Sequence, residues 1–378
     1  MSRVARRLRV LVVAPSRHPL RQPQAGGLET AVWDRVRWLR ARGHDVTLCA
    51  ADGSDHLGPI EELRLPVPRW ERREHESDVG FPAGYAAELD RALERAARRI
   101  ARDRHRWDVV DNHSLHPAVI RWSADLGIPM VTTLHTPPLP ELVEAAAHVR
   151  SAAHRFVAVS QHTARAWSAE GVEAFVFGNG VDTDRWTLGP GGAAWAWFGR
   201  IVPEKAPHLA IAAARAAGAD LVLAGRIGDL DYFRREIRPH LGRRTRYAGA
   251  LRQRRLCRLV GGSAVALATP VWEEPFGLVL AEALAAGTPV AAFAGGGVAE
   301  VLRGLPGTAV VPQGDVAALA SAATALAEQS QAMPGARDRI RQAAVARHSL
   351  AGRHGDIERV LAFTALQGAD AAAAAVAQ

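Results

Sequence analysis

The strongest constraint on the fold is a rhythm. Short, apolar, β-branched runs alternate with longer helix-like stretches, and the series starts twice. In the first half, "RVLVVAP", "HDVTLCA", "WDVVDN", "IPMVTTLHT" and "RFVAVS" are separated by helical segments. One of these runs from about Leu28 to Arg42 and ends at Gly43; another lies around Pro117 to Leu126. After the glycine- and proline-rich joint "LGPGG" the series restarts near residue 189. It continues with "AAWAWFGR", "ADLVLAGR", "TRYAGA", "AVALATP", "TPVAAFAG" and "TAVVPQ". Strands that alternate with helices pair in parallel and are covered on both faces. Two such series of similar length predict an α/β chain with two Rossmann-like βαβ domains facing each other across a cleft. Ligands of such sheets sit off the carboxyl ends of the strands. The expected divisions are 1–188, 189–350 and a C-terminal segment 351–378. The last ten residues, "ADAAAAAVAQ", read as a frayed helix or disordered tail.

Composition narrows the function. A chain of 378 residues is too long for one ordinary domain. Two cysteines, Cys49 and Cys257, make no disulfide framework and have no metal-ligand spacing, so a reducing cytoplasm is expected. The start, "MSRVARRLRVLVVAP", imitates a secretion signal, but its uninterrupted apolar run is only Val10 to Ala14. That is too short for a signal core or a membrane span and reads as a buried strand. The net charge of +8 raises nucleic acid or an anionic membrane as partner. Part of it lies in residues 88–106, where Leu89, Leu93, Ala96, Ala97 and Ile100 form an apolar helical stripe ringed by arginines. A second part lies in "GRRTRYAGALRQRRLCR". Both read first as solvated faces, with weak peripheral contact of helix 88–106 at the inner membrane surface as the secondary expectation. Stacking aromatics are not interleaved, so no nucleic-acid partner is expected. No G-x-G-x-x-G follows the first strand, so a dinucleotide cofactor is unsupported.

The segment that carries chemistry is "TPVWEEPFGLVLAEALAAGTPVAAF". A strand runs into a loop with Pro270 and Pro275, a helix opens near Gly277, and Gly287 ends it. The amides of Phe276, Gly277 and Leu278 lie at the helix start, which suits an anion. Glu274 precedes that start and Glu282 lies one turn inside. At about 1.5 Å per residue, their eight-residue separation covers roughly 12 Å. A nucleotide sugar fits this span, with ribose at Glu282, diphosphate at the amides and hexose at Glu274. Spacing alone equally allows Glu273 and Glu274 as surface charge and Glu282 as a solubilising helix residue.

The same stretch resembles the E-x7-E motif of retaining glycosyltransferases of the GT-B fold, specifically glycosyltransferase family 4. Glu274 and Glu282 stand at the two glutamate positions. Further likenesses fall in order: "AGGLET", "VTTLHTPP", "GNGVDTDRW", "FGRIVPEKAPHLAI" and "AGGGVAEVL". The resemblance implies transfer of a hexosyl group from a nucleoside diphosphate sugar, a UDP-sugar favoured, to an acceptor hydroxyl or amine. It implies no cofactor and no metal, and a C-terminal helix that returns to the first domain. Arg200 and Lys205 would contact the donor diphosphate. Among 47 lysines and arginines Lys205 is the only lysine. His135 would lie near the reacting sugar, His113 and His116 on the acceptor side, and Gly26 and Gly27 beside the donor. The acceptor pocket would be built from first-domain loops, including the irregular stretch Asp52 to Gly84. "DTD" at Asp182 to Asp184 matches a metal motif of other glycosyltransferases, but here falls in a domain-end loop. Rival readings are a sugar-nucleotide epimerase, a pyridoxal phosphate-dependent phosphorylase using Lys205 as its Schiff base, and a non-catalytic basic binding protein.

Overall fold

The computed structural model describes residues 7–71, 78, 80–149, 151 and 153–376. Within the irregular stretch 52–84, residues 72–77 and 79 therefore lie outside the described residues, as do the last two of the alanine-rich end.

The first half forms β1 (Arg9–Val13), α1 (Gly27–Ala41), β2 (Asp45–Ala51), β3 (Arg64–Leu65), α2 (Tyr85–Arg102), β4 (Val109–Asn112) and α3 (Pro117–Asp125). It continues with β5 (Met130–Leu134), α4 (Pro140–Ala147), β6 (His154–Ala158), α5 (Gln161–Ala169) and β7 (Phe175–Val176). The seven strands pair in parallel in the order β3-β2-β1-β4-β5-β6-β7. The two-residue edge strands β3 and β7 were not visible in the sequence pattern. In β1 the pleat sends Val10 and Val12 to one face, against Val32, Val36 and Leu39 of α1. Leu11 and Val13 go to the other, against Leu89, Leu93, Ala96 and Ile100 of α2. The arginine-rich side of α2 is partly neutralised, since Arg99 and Arg102 pair with Glu62 and Asp103.

The second half forms β8 (Trp195–Phe198), α6 (Pro207–Ala216), β9 (Leu221–Ala224), α7 (Leu230–Tyr232), β10 (Thr245–Tyr247), α8 (Gln253–Gly261) and β11 (Ala266–Ala268). Then follow α9 (Leu278–Ala285), β12 (Val290–Phe293), α10 (Val298–Leu302), β13 (Thr308–Val311), α11 (Val316–Ala332), α12 (Ala336–His348) and α13 (Leu350–Val376). Its six parallel strands are ordered β10-β9-β8-β11-β12-β13. Strand order therefore reverses between β1 and β4 in one sheet and between β8 and β11 in the other. Loops at such a reversal diverge to opposite faces and leave a crevice at the strands' carboxyl ends.

Helix α13 crosses back to the first sheet. Ile357, Leu361 and Ala365, four residues apart on one face, are buried in the same core as Val10 and Val12. His44 pins it: Nδ1 accepts from the Leu8 amide at 3.0 Å, and Nε2 faces Glu358 at 2.9 Å. The two domains also touch directly. Glu300 of α10 accepts from the Gln161 amide at 2.9 Å, capping α5 from across the cleft. No described helix is long and apolar enough to cross a membrane.

Candidate active site

A cavity of about 660 Å³ opens between the domains, lined by the loops that leave β1, β4 and β5 on one side and β8, β9 and β11 on the other. Both reversal points thus face it.

Gly199 follows β8 and Gly225 follows β9. A Cβ on Gly225 would stand 1.7 Å from the Gly199 carbonyl oxygen, so the two backbones can approach only as they are. This contact delivers Arg200 and Arg226 side by side into the cavity. A short turn, Pro203–Lys205, then presents Lys205. The Thr269 hydroxyl, at the end of β11, lies 2.9 Å from the carbonyls of both Lys205 and Ala206 and so fixes the turn to the sheet. Lys205 Nζ contacts the Glu274 carboxylate and sits 5.0 Å above the Trp272 ring, while Trp272 Nε1 donates to Glu274 Oε2 at 2.9 Å. Expected at adjoining points of one ligand, Lys205 and Glu274 are in direct contact.

Glu274 and Glu282 are buried, at 8% and 7% exposure, and both line the cavity. The alternative that placed them on the surface is overturned. Glu273 alone fits it, half free and bonded to the Gly296 amide at 2.9 Å. Gly277 stands at the start of α9 with φ +78°, and together with Leu278 and Val279 of the first turn it lines the cavity beside Phe276. Burial pushes the Glu282 carboxyl up to about 8, and the neighbouring Asp34 of α1 adds to the shift. Asp34 is itself raised to about 6 by burial, against the pull of Arg185, its ion-pair partner. Asp182 of the "DTD" triplet is engaged by Arg185 and by the Asp184 amide, at 3.2 Å for the latter. Among the described residues no group of three or more potential ligands could hold a metal.

Gly26 opens α1 across from these groups; a Cβ there would lie 3.5 Å from Arg200, and one on Gly27 would lie 3.7 Å from Leu278. The two glycines of the first domain therefore meet the loop after β8 and the start of α9 in the second. His135 and His116 line the cavity, and His116 caps α3 by accepting from the Ala118 amide at 3.3 Å. His113, expected on the acceptor side, is corrected: at 1% exposure it stands behind His135, its Nδ1 2.8 Å from His135 Nε2. The pleat explains this, because Asp111 and His113 share one side of the chain leaving β4, turned inward to Arg35.

Three participants went unread in the sequence. Arg226 carries a signal, since "LVLAGR" repeats the strand-Gly-Arg ending of "AWAWFGR". Asp78 carries none. It binds Arg200 at 2.8 Å, Arg226, and His18 at 3.4 Å. Burial would raise its pKa, but the hydrogen bonds from His18, Arg226 and Arg200 outweigh this and hold the carboxyl well below its ordinary value. Arg35 is the third, masked by the many arginines of α1.

Residues 25–185 match the sequence profile of Glycosyltransferase Family 4, and residues 195–347 that of Glycosyl transferases group 1. The chain belongs to glycosyltransferase family 4. The enzyme is 30% identical to a glycogen synthase of Mycobacterium tuberculosis over 83% of its own length and 85% of that protein's. It is 28% identical to a D-inositol 3-phosphate glycosyltransferase of Actinosynnema mirum, over 78% and 83% of the respective chains. Among solved structures, Anabaena Alr3699/HepE in complex with UDP and glucose superposes with a TM-score of 0.70 at 20% identity. That match covers 94% of this chain and all of that one. Sucrose-phosphate synthase from Thermosynechococcus elongatus gives 0.70 at 17%, over 93% and 98%. At these identities the structures speak for the fold, which is GT-B. The reading as a non-catalytic basic protein falls away with the family membership.

Proposed function

We propose that this glycosyltransferase moves a hexosyl group from a nucleoside diphosphate sugar, preferentially a UDP-sugar, to an acceptor hydroxyl or amine with retention of anomeric configuration. The observation that carries the reading is the convergence of Lys205, Arg200, Glu274 and the start of α9 at one end of a cavity that both domains close. In this reading the diphosphate lies on the α9 amides, with Gly26 and Gly27 allowing close approach from above. Lys205 and Arg200 stabilise the charge that develops as the diphosphate leaves, a task metal ions perform elsewhere. Glu274, oriented by Lys205 and Trp272, accepts from hexose hydroxyls. Glu282, at the far end of the first turn, accepts from the ribose. The departing phosphate oxygen takes the acceptor's proton on the face it leaves, which preserves configuration. Domain contact excludes water while this happens.

The UDP preference is supported by the UDP named with the Anabaena neighbour. No membrane contact is part of the proposal. The test is a donor panel: purified enzyme is incubated with UDP-, GDP- and ADP-sugars, and nucleotide release is followed without and with chelator. One sugar nucleotide should be slowly hydrolysed, unaffected by chelation, and Lys205→Ala should abolish the release. Failure of every donor to bind or turn over would refute the reading.

A further inference from the structure

Behind His135 runs a line of buried polar groups that donor binding does not call for. Asp111, at the end of β4, is fully buried and lies 3.1 Å from the Arg35 guanidinium of α1. Its other oxygen, Oδ1, lies 3.1 Å from His113 Nε2. This contact falls short of hydrogen-bond geometry, and among the described residues neither buried atom has a hydrogen-bond partner. His113 Nδ1 is in turn 2.8 Å from His135 Nε2, and His135 borders the cavity. Four residues from three elements thus form one file from the core to the sugar site.

Proton positions along this file follow from donor and acceptor inventory. A buried carboxylate beside arginine is ionised and only accepts, so His113 Nε2 must carry a hydrogen. Arg35 already balances the charge of Asp111, and a second buried cation at His113 would be uncompensated. Neutral His113 therefore has a bare Nδ1, which must accept from His135 Nε2–H. One hydrogen per neutral ring then leaves His135 Nδ1 bare. Burial, with the Arg35 charge adding to it, holds the His135 pKa well below its ordinary value, so the ring stays neutral at physiological pH.

We infer that Asp111 and His113 are positioning residues for transfer: they fix His135 as its Nε2-protonated tautomer, so that Nδ1 accepts a hydrogen bond from one sugar hydroxyl in the cavity. The inference rests on the reading of that cavity as a sugar-nucleotide site. It adds a selection rule, since a site that offers only an acceptor at this point favours a sugar with a hydroxyl there and rejects one without it.

Histidine 15N shifts of the whole, ring-labelled enzyme test the tautomer, with His135→Gln supplying the assignment among the 15 histidines. The expected signature is a protonated Nε2 and an unprotonated Nδ1; the reverse pattern would overturn the inference. Kinetics test the role with two variants at His113. In His113→Gln the amide oxygen can accept from His135 while the NH2 donates to Asp111, preserving polarity, and kcat/KM should stay within a few-fold of the wild type. His113→Leu removes the constraint and should lose roughly 10- to 100-fold, as for one hydrogen bond in a buried site. With the mono-deoxy donor that lacks the recognised hydroxyl, His113→Leu should lose little more. Equal losses in the two variants at equal melting temperature, or equal losses on normal and deoxy donors, would show a structural role only. If the wild type turns over no sugar nucleotide, the functional reading fails, whereas the nitrogen shifts still decide the tautomer.

Discussion

At the residue scale, Lys205 shows why its chemistry is not interchangeable with that of the arginines around it. Its Nζ shares Glu274 Oε2 with Trp272 Nε1 and packs over the indole ring, a place for a compact charge rather than a planar fork. Lys205→Arg should therefore keep its melting temperature yet lose about 100-fold or more in kcat, the order found when one electrostatic contact to a transition state is removed. Near-normal turnover would mean that the lysine is incidental. Glu282 makes a prediction about pH. Its folded-state pKa of about 8 lies above the ordinary carboxylate value. The folded state thus binds the proton more tightly than the unfolded chain does. This contribution is complete below about pH 4.5 and is lost as pH rises through about 8. The groups facing it are Asp34, Arg185 and Trp186. Asp34, raised to about 6, adds a slope of the same sign that ends earlier. The ligand-free enzyme should melt at lower temperature as pH rises across this window. Glu282→Gln should flatten the curve above about pH 6, read by thermal denaturation in matched buffers.

At the element scale, most strands were legible because each buried both faces and read as an apolar run. The switch-point loops were legible because glycine, proline and charge punctuate them. The edge strands β3 and β7 were not, since two residues carry no period. His113 was misplaced because sequence shows that a histidine follows a strand but not which face the pleat gives it. Helix α13 is the instructive case. The tail expectation concerns only its alanine-rich end; upstream of it Ile357, Leu361 and Ala365 complete the core over β1 and α1, and Glu358 takes His44. A helix so joined belongs to the first domain's folding unit although it follows the second in the chain. Truncation after Ser349 should therefore uncover the first sheet and yield insoluble protein. Replacement of the exposed Arg359 by alanine should shift the melting temperature by no more than about 2 °C. Soluble, cooperatively melting truncated protein would show that α13 only decorates the domain.

At the scale of the whole molecule, the cleft is held by charge as well as by packing. Asp78 of the first domain holds Arg200 and Arg226 of the second, and in the proposed reaction Arg200 must serve the donor diphosphate. Two anions then compete for one pair of guanidiniums. Sequence could not show this, because Asp78 lies in the patternless stretch before α2 and meets its partners only when two domains fold against each other. Because the pKa of Asp78 is held well below its ordinary value, the contact is complete at neutral pH and is lost only as pH falls through that depressed value. Near pH 7 it yields to a competing anion rather than to a proton. Asp78→Asn keeps the size of the side chain but removes its charge, leaving the arginines unbalanced until diphosphate arrives. Donor should then bind roughly tenfold more tightly, worth about 1.4 kcal/mol, measured by calorimetric titration with UDP and with the preferred sugar nucleotide. The ligand-free variant should scatter X-rays as a more extended particle than the wild type, and saturating UDP should make the two coincide. If Asp78→Asn instead weakens UDP binding as much as Arg200→Ala does, Asp78 positions Arg200 for the donor and does not compete with it.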